Sequence, residues 1–140
     1  MGRSRGFDER EVISQCAEAF LLTGYEGTSI DDLVHATGLH RGSLYKAFGS
    51  KRGLFLATLR QLETTGAGTH NPIDLLLVAL LELAPRDAEV REMAASALAH
   101  FLKQDAATTL GARLLERAQI DNNSFPTTGN QHEHSGDHEQ

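Results

Sequence analysis

The chain has 140 residues, of which 40% are hydrophobic, so it can fold as one domain or as a small head on a small body. Its apolar runs are shorter than the ~18 residues of a membrane span, its arginine-bearing N-terminus lacks a signal peptide's apolar core, and Cys16 has no second cysteine to pair with. These features predict a cytoplasmic protein, and the net charge of −6, from 13 Lys and Arg against 19 Asp and Glu, excludes a generally basic nucleic-acid binder.

The first predicted helix follows a polar arm, residues 1–6, whose two arginines indicate either a frayed terminus or a tail that lies along DNA. Asp8 occupies the position of an N-cap, and apolar residues recur at helical spacing up to Phe20. Gly24 is predicted to end the helix. Because Cys16 lies on the apolar face, we interpret it as a core residue rather than a reactive thiol.

Two short apolar-periodic segments separated by Gly38 predict a helix-turn-helix. The first of them opens at Ser29, with Asp32 at the capping-box position, and ends near Thr37. The second runs from about residue 40 to residue 48. A serine at a helix start can satisfy the free N–H groups of the helix and also donate to a DNA phosphate, so Ser29 is a candidate DNA contact.

The third helix is the candidate reader of DNA, because an α-helix fits the major groove and its first residues reach base edges. Arg41 can make bidentate contacts to a guanine, and Gly42 lacks a side chain where the backbone can approach DNA closely. Tyr45 and Lys46 are better placed for phosphates, which position a protein without specifying a sequence. Ser43 completes this outward-facing set.

Charge is distributed unevenly along the chain. Residues 1–63 carry eight Lys or Arg and eight Asp or Glu, a net charge of zero, whereas residues 64–140 carry five and eleven, a net charge of −6. Attraction to phosphate is therefore confined to the N-terminal part, and the acidic remainder is expected to point away from DNA. The stretch between Leu33 and Leu62 has no acidic residue and contains five cations: Arg41, Lys46, Lys51, Arg52 and Arg60.

A fourth helix is predicted to begin with a cap at Ser50 and to fade by Thr65. Lys51 lies in its first turn, where the free N–H groups of a helix already attract anions. The added positive charge predicts a phosphate site.

The string GYEGTSIDDLVHATGLHRGSLYKAFGSKRGLF resembles the DNA-binding region of the tetracycline-repressor (TetR) family of bacterial regulators. The resemblance is carried by the Tyr-x-x-Phe-x-x-Lys frame at Tyr45, Phe48 and Lys51 and by the opening Thr28–Ser29, and it covers about the first sixty residues. It implies a three-helix head, a fourth helix that links head to body, and an operator-binding dimer that a small-molecule effector releases.

His40 departs from the family pattern, because members usually have a small hydroxyl residue there to cap the third helix. Histidine is a weaker cap. It can instead reach a base or a phosphate, more favourably when protonated, so His40 is a candidate DNA contact.

The body is predicted to begin where Asn71 caps, and Pro72 opens, a helix that is almost continuously apolar and that Pro85 stops. A further helix starts near Asp87 and either continues to residue 119 or kinks at Gly111. The polar residues 121–140 are predicted to be disordered. Their histidines indicate either a solvated tail or a metal-binding tract, and we assign no metal site.

These observations predict an all-α fold with three parts. Residues 7–64 form a three-helix helix-turn-helix head with its linking helix, residues 71–120 form a shortened helical body, and residues 121–140 form a disordered tail. The helical pattern ends near residue 120, before two long helices that family members carry, which leaves dimerisation and effector binding open. We expect a dimer through the fifth and sixth helices, whose apolar faces exceed what a short body can bury.

The predicted function is that of a sequence-specific DNA-binding transcriptional regulator, a repressor that acts as a dimer on an inverted-repeat operator. Its expected partners are double-stranded DNA, a second copy or a longer relative, and a small-molecule effector, with no membrane. The alternative is a truncated interaction protein that pairs with a full-length relative or lacks specific DNA binding. No catalytic constellation or cofactor loop is discernible, so we predict neither an enzyme nor a bound cofactor.

Overall fold

The computed structural model describes residues 6–65, 70–102 and 104–124, and over these residues the protein is all-α, as predicted. Helix α5 continues into one turn of π-helix, Ala79–Leu83, and a short 3-10 turn, Asn122–Ser124, ends the described chain. Residues 1–5 of the N-terminal arm and residues 125–140 of the tail, with its histidines, lie outside the described residues. The α-helices are α1 (Glu9–Thr23), α2 (Ile30–Thr37), α3 (Arg41–Phe48), α4 (Lys51–Thr65), α5 (Pro72–Val78), α6 (Ala88–Phe101) and α7 (Ala106–Arg117).

Side-chain caps begin the helices where the sequence predicts them. Asp8 accepts from the N–H of Arg10 at the start of α1, and Ser50 Oγ accepts from Gly53 N at the start of α4, at 3.0 and 2.9 Å. Ser29 and Asp32 form the predicted capping box, in which each side chain accepts from the other residue's backbone N–H, at 3.0 and 2.8 Å. Each such cap stabilises its helix by about 0.5–2 kcal/mol, so local chemistry settles where these helices start.

The core of the head, which consists of α1 to α4, is built around three aromatic rings. The rings of Phe20, Tyr25 and Phe55 lie pairwise 5.2 to 5.8 Å apart between centroids, in one stacked and two edge-to-face pairs. Cys16 is fully buried beside them, which confirms that it belongs to the core. Burial raises the pKa of its thiol to about 12, so the reactive thiolate is absent at neutral pH.

The end of α3 approaches α4 at Gly53. A Cβ atom on Gly53 would lie 2.0 Å from the carbonyl oxygen of Phe48, a distance that no real Cβ contact shows. The clash is with backbone, which cannot rotate away as a side chain can. Glycine at this position therefore allows α3 to be held close to α4.

Gly53→Ala should destabilise the head by about 1–3 kcal/mol, the usual cost of forcing extra volume into a packed site. We expect the loss to appear in urea unfolding followed by circular dichroism. Gly42→Ala is a matched control in α3, because a Cβ there meets no atom within 4 Å. Equal stabilities for the two variants would contradict the close approach.

The body, which consists of α5 to α7, buries the apolar faces of its first two helices within the single chain. Leu76 and Ala79 on the α5 side and Val90 and Ala94 of α6 have no exposed surface. The apolar residues of α5 and α6 pack against α4, against α1 and against each other. Within the predicted bounds of the fifth and sixth helices, Leu81 and Leu114 are nevertheless 61% and 43% exposed, so the expected dimer through these helices stays a prediction.

The predicted course of the last helices is wrong. Helix α6 ends at Phe101 and α7 starts at Ala106, so the break falls at neither Gly111 nor residue 119. Asp105 adopts a left-handed backbone conformation, with φ 58°, immediately before α7. Aspartate tolerates this conformation better than most residues, and its carboxylate accepts from the Thr108 hydroxyl at 2.7 Å, which stabilises the new helix start.

Helix α7 has no fully buried residue, and one carboxylate of α5 binds two of its arginines. Arg113 donates to both oxygens of Asp74, at 2.7 and 2.8 Å, and Arg117 lies 3.4 Å from the same carboxylate. The Arg113 guanidinium holds the pKa of Asp74 below its usual value. Attachment of α7 should therefore depend on pH.

Lowering the pH through the range in which Asp74 becomes protonated should release α7. The pKa of Asp74 is lower in the folded chain than in the unfolded chain, so the ion pairs stabilise fully above the unfolded value and are lost as pH falls through the folded value. At neutral pH, Asp74→Asn should lower the free energy of unfolding by about 1.5–3 kcal/mol and flatten the acid side of the stability curve. Urea unfolding of both proteins at several pH values tests this, and an unflattened curve in the variant would contradict it.

Two sets of polar contacts hold the head against the body. Arg52 donates to both oxygens of Asp87, at 2.7 and 3.0 Å, and to Glu89 at 2.8 Å. The Arg52 guanidinium is the largest cause that lowers the pKa of Asp87 to about 2. In the second set, the Glu82 carboxylate accepts from the backbone N–H groups of Tyr25 and Glu26, at 2.9 and 3.0 Å. The loop that leads into α2 is thus bound directly to the body.

Candidate nucleic-acid interface

Helix α3 presents a polar face to solvent and an apolar face to the head core. Leu44 is fully buried and Phe48 is partly buried, which anchors the helix to the core. Most predicted reading residues are exposed, and Ser43 is partly exposed. The structure therefore brings together on one helix His40, Arg41, Gly42, Ser43, Tyr45 and Lys46.

Arg41 is the first residue of α3, where side chains of a groove-bound helix reach bases. Its side chain is 52% exposed, and its Nη2 donates to Oδ1 of Asp31 on α2, a carboxylate that is 78% exposed. This hydrogen bond raises the pKa of Arg41, so the guanidinium stays charged. The sequence gives no sign of this contact, because helical spacing does not connect residues ten apart in two different helices.

His40 has the N-cap position of α3 but makes no side-chain cap hydrogen bond. The absence of this hydrogen bond agrees with the expectation that histidine caps weakly, and the imidazole lies exposed at the edge of the reading face. A direct contact with a base or phosphate stays a prediction.

Ser29 is exposed beside α3 and already accepts a hydrogen bond from Asp32 N. A hydroxyl that accepts through a lone pair keeps its hydrogen for donation. The capping role therefore leaves Ser29 able to donate to a phosphate.

Lys51 is held in place by an aromatic ring that the sequence reading missed. Its ammonium lies 4.2 Å from the centroid of Tyr25, at the N-terminus of α4. A cation over a tyrosine face is attracted by the ring quadrupole, and the ring also restricts the lysine's motion. No periodic or spacing signal connects these two residues, so only the fold could reveal the contact.

The cationic face, meaning the Lys and Arg side chains grouped around α3, contains fewer residues than the acid-free stretch of the sequence suggests. Arg52 is bound by Asp87 and Glu89, and Arg60 lies 3.9 Å from Glu89, so both arginines belong to the junction with the body. The carboxylates come from α6 and its cap, more than 25 residues later in the chain. The cations that remain near α3 are Arg41, Lys46 and Lys51.

A groove of about 330 Å³ lies on another side of the molecule, between α1, α4 and the start of α5. Ala17, Leu62 and Leu75 contribute apolar walls, and Arg10 and Gln61 contribute polar ones. The groove thus contacts both head and body. Among the described residues there is no group of three or more His, Cys, Asp and Glu that could hold a metal ion.

Comparisons with known proteins converge on the same part of the chain. Residues 12–58, from α1 into α4, match the sequence profile of a family described as bacterial regulatory proteins, tetR family. No helix among the described residues is long and apolar enough to cross a membrane. No solved structure gives a significant match.

Three curated relatives illustrate the similarity. An uncharacterized HTH-type transcriptional regulator of Bacillus subtilis, YezE, is 45% identical over 60 residues, which are 43% of this chain and 31% of the relative. Two HTH-type transcriptional repressors of Escherichia coli follow: ComR, 39% identical over 69 residues (49% and 33%), and BdcR, 33% identical over 92 residues (61% and 47%). The matches therefore span about a third to a half of the length of these relatives.

Proposed function

We propose that the chain is a sequence-specific DNA-binding transcriptional regulator that acts as a repressor, because residues 12–58 match the tetR family of bacterial regulatory proteins. The observation that carries this proposal is the exposed face of α3, with Arg41 at its start and Tyr45 and Lys46 beyond. A helix presented in this way can enter the major groove with its N-terminal residues against base edges.

In this proposal the side chains divide between reading and positioning. Arg41 reads a guanine and His40 supports it, while the backbone at Gly42 and the side chain of Ser43 lie close to the groove. The flanking residues bind phosphates and set the register of α3: Ser29, Tyr45, Lys46 and Lys51. The acidic body points away from the duplex, which orients the molecule.

We further propose that the regulator binds an inverted repeat as a dimer. A single helix-turn-helix buries little surface and discriminates modestly, whereas two heads on half-sites about 34–36 Å apart combine their contacts. Because α5 and α6 bury their apolar faces within the chain, we place the interface at the C-terminal end, where Leu114 and Ile120 are 43% and 46% exposed. Light scattering at micromolar concentration should give twice the chain mass, and a monomer in Leu114→Asp but not in Leu81→Asp would support this placement.

A small-molecule effector completes the proposal, with the groove between α1, α4 and α5 as its site. A ligand there would contact helices of both head and body, and could therefore change their relative angle. Ala17→Leu should fill the groove and abolish effector-induced release from DNA while leaving DNA binding intact. Unchanged release in that variant would place the effector elsewhere.

The test of DNA recognition is selection of duplexes from random-sequence DNA by the purified chain at about 0.15 M salt. We expect enrichment of an inverted repeat, and binding that survives an excess of mixed-sequence competitor. Binding that falls steeply with salt and enriches no sequence would instead support the truncated interaction protein. Co-purification with a longer relative would support that alternative directly.

A further inference from the structure

The contact between Asp31 and Arg41 joins the two helices of the helix-turn-helix at its DNA-facing side. Asp31 is the second residue of α2 and Arg41 is the first residue of α3, and both side chains are more than half exposed. Their hydrogen bond is therefore made on the surface that faces the duplex in the proposed function.

The capping of α2 does not require a carboxylate at this position. Asp32 and Ser29 already cap the helix. A second negative charge on this face repels the phosphates of any duplex that α3 approaches, and salt screens this repulsion. Asp31 therefore weakens attraction to DNA in general, and its contribution must be sought elsewhere.

The geometry allows Asp31 to orient the Arg41 guanidinium while leaving most of its N–H donors available. A guanidinium has five N–H donors in a planar fork, one on Nε and two on each terminal nitrogen. Asp31 accepts from Nη2, which leaves four donors for DNA. A long, exposed arginine otherwise samples many rotamers, and the loss of that freedom on binding weakens recognition.

We propose that Asp31 is a positioning residue for base recognition: its carboxylate pre-orients the Arg41 guanidinium for bidentate contact with a guanine. This inference rests on the proposed function. It implies that one residue raises sequence discrimination while it lowers affinity for DNA of any sequence.

The test compares the wild-type chain with Asp31→Asn and Asp31→Ala on three probes. The probes are the duplex that the wild-type chain selects, that duplex with single base-pair changes, and a mixed-sequence duplex. Both variants should bind the mixed-sequence duplex about two- to fivefold more tightly at low salt, and discrimination should fall by about two- to fivefold, the range typical of exposed ion pairs. The fall should be confined to the base pair at which Arg41→Ala loses discrimination.

Two controls separate positioning from other roles. Glu92→Gln removes one negative charge from the exposed side of α6 and should change neither property. In the double variant Asp31→Ala with Arg41→Ala, discrimination should be no lower than in Arg41→Ala alone, because the carboxylate acts only through the arginine.

The possible contrary outcomes are distinct. Tighter binding to all probes with unchanged discrimination would overturn the inference, because Asp31 would then act as a repulsive charge alone. Weaker binding to all probes with a lower melting temperature would also overturn it, because the role would be structural. If the wild-type chain selects no sequence, the proposed function fails and this inference fails with it.

Discussion

Phe55→Ala should lower the free energy of unfolding by about 3–5 kcal/mol, the cost of deleting a buried aromatic ring. Phe55 has no exposed surface and makes edge-to-face contacts with both Phe20 and Tyr25. Its loss leaves a cavity among α1, α4 and the loop before α2. Such rings also interact by about 0.5–1.5 kcal/mol per pair beyond their burial, so the effect should lie in the upper part of the range.

Urea unfolding of the variant measures this loss. Leu81→Ala is the control, because that leucine is 61% exposed and its truncation should cost less than about 1 kcal/mol. A related readout concerns Lys51, whose ammonium lies over Tyr25: once Phe55 no longer supports that ring, Lys51 should lose its fixed position. A loss no larger than that of Leu81→Ala would mean that the aromatic cluster does not hold the head together.

The head was predictable because its determinants are local. A capping serine, an aspartate three residues later and a glycine at the helix end specify α2 within ten residues of sequence, and the structure contains each of these features. The same holds for Ser50 and for Asn71, which cap α4 and α5 as predicted. Local hydrogen bonds need no information about the rest of the fold.

The extent of the cationic face was not predictable, because it depends on contacts between distant parts of the chain. Arg52 lies in a stretch without acidic residues, yet its partner Asp87 is 35 residues away. The same applies to Glu82, which binds the backbone N–H of Tyr25 across 57 residues. Periodicity describes one helix at a time and carries no record of which helix lies beside it.

The prediction of where α6 and α7 separate failed for a different reason. Gly111 is the residue with the lowest helix propensity in that region, but it lies inside α7, where a single glycine costs only about 1 kcal/mol. The left-handed turn at Asp105 separates the helices, and the ion pairs between Arg113 and Asp74 then hold α7 against α5. Propensity was outweighed by a tertiary contact.

Arg41→Ala should strongly reduce sequence-specific binding while leaving the protein folded. A good bidentate arginine–guanine contact contributes about 1–3 kcal/mol of discrimination, and a dimer loses two of them, or about 2–6 kcal/mol per operator. Because Arg41 is half exposed and its ion pair with Asp31 is at the surface, the melting temperature should change little. Titration of the selected duplex and of a mixed-sequence duplex gives the ratio of the two affinities.

Lys46→Ala is the matched comparison, since it removes a positive charge from the same helix at a position assigned to phosphate. It should weaken binding to all duplexes by a similar factor and reduce the salt dependence by about one unit per head, with discrimination preserved. Arg41→Ala should instead relax the preference at one base pair in each half-site. If the two variants behaved alike, α3 would contact the DNA backbone and would not read bases. The assignment of Arg41 as the reading residue would then be wrong.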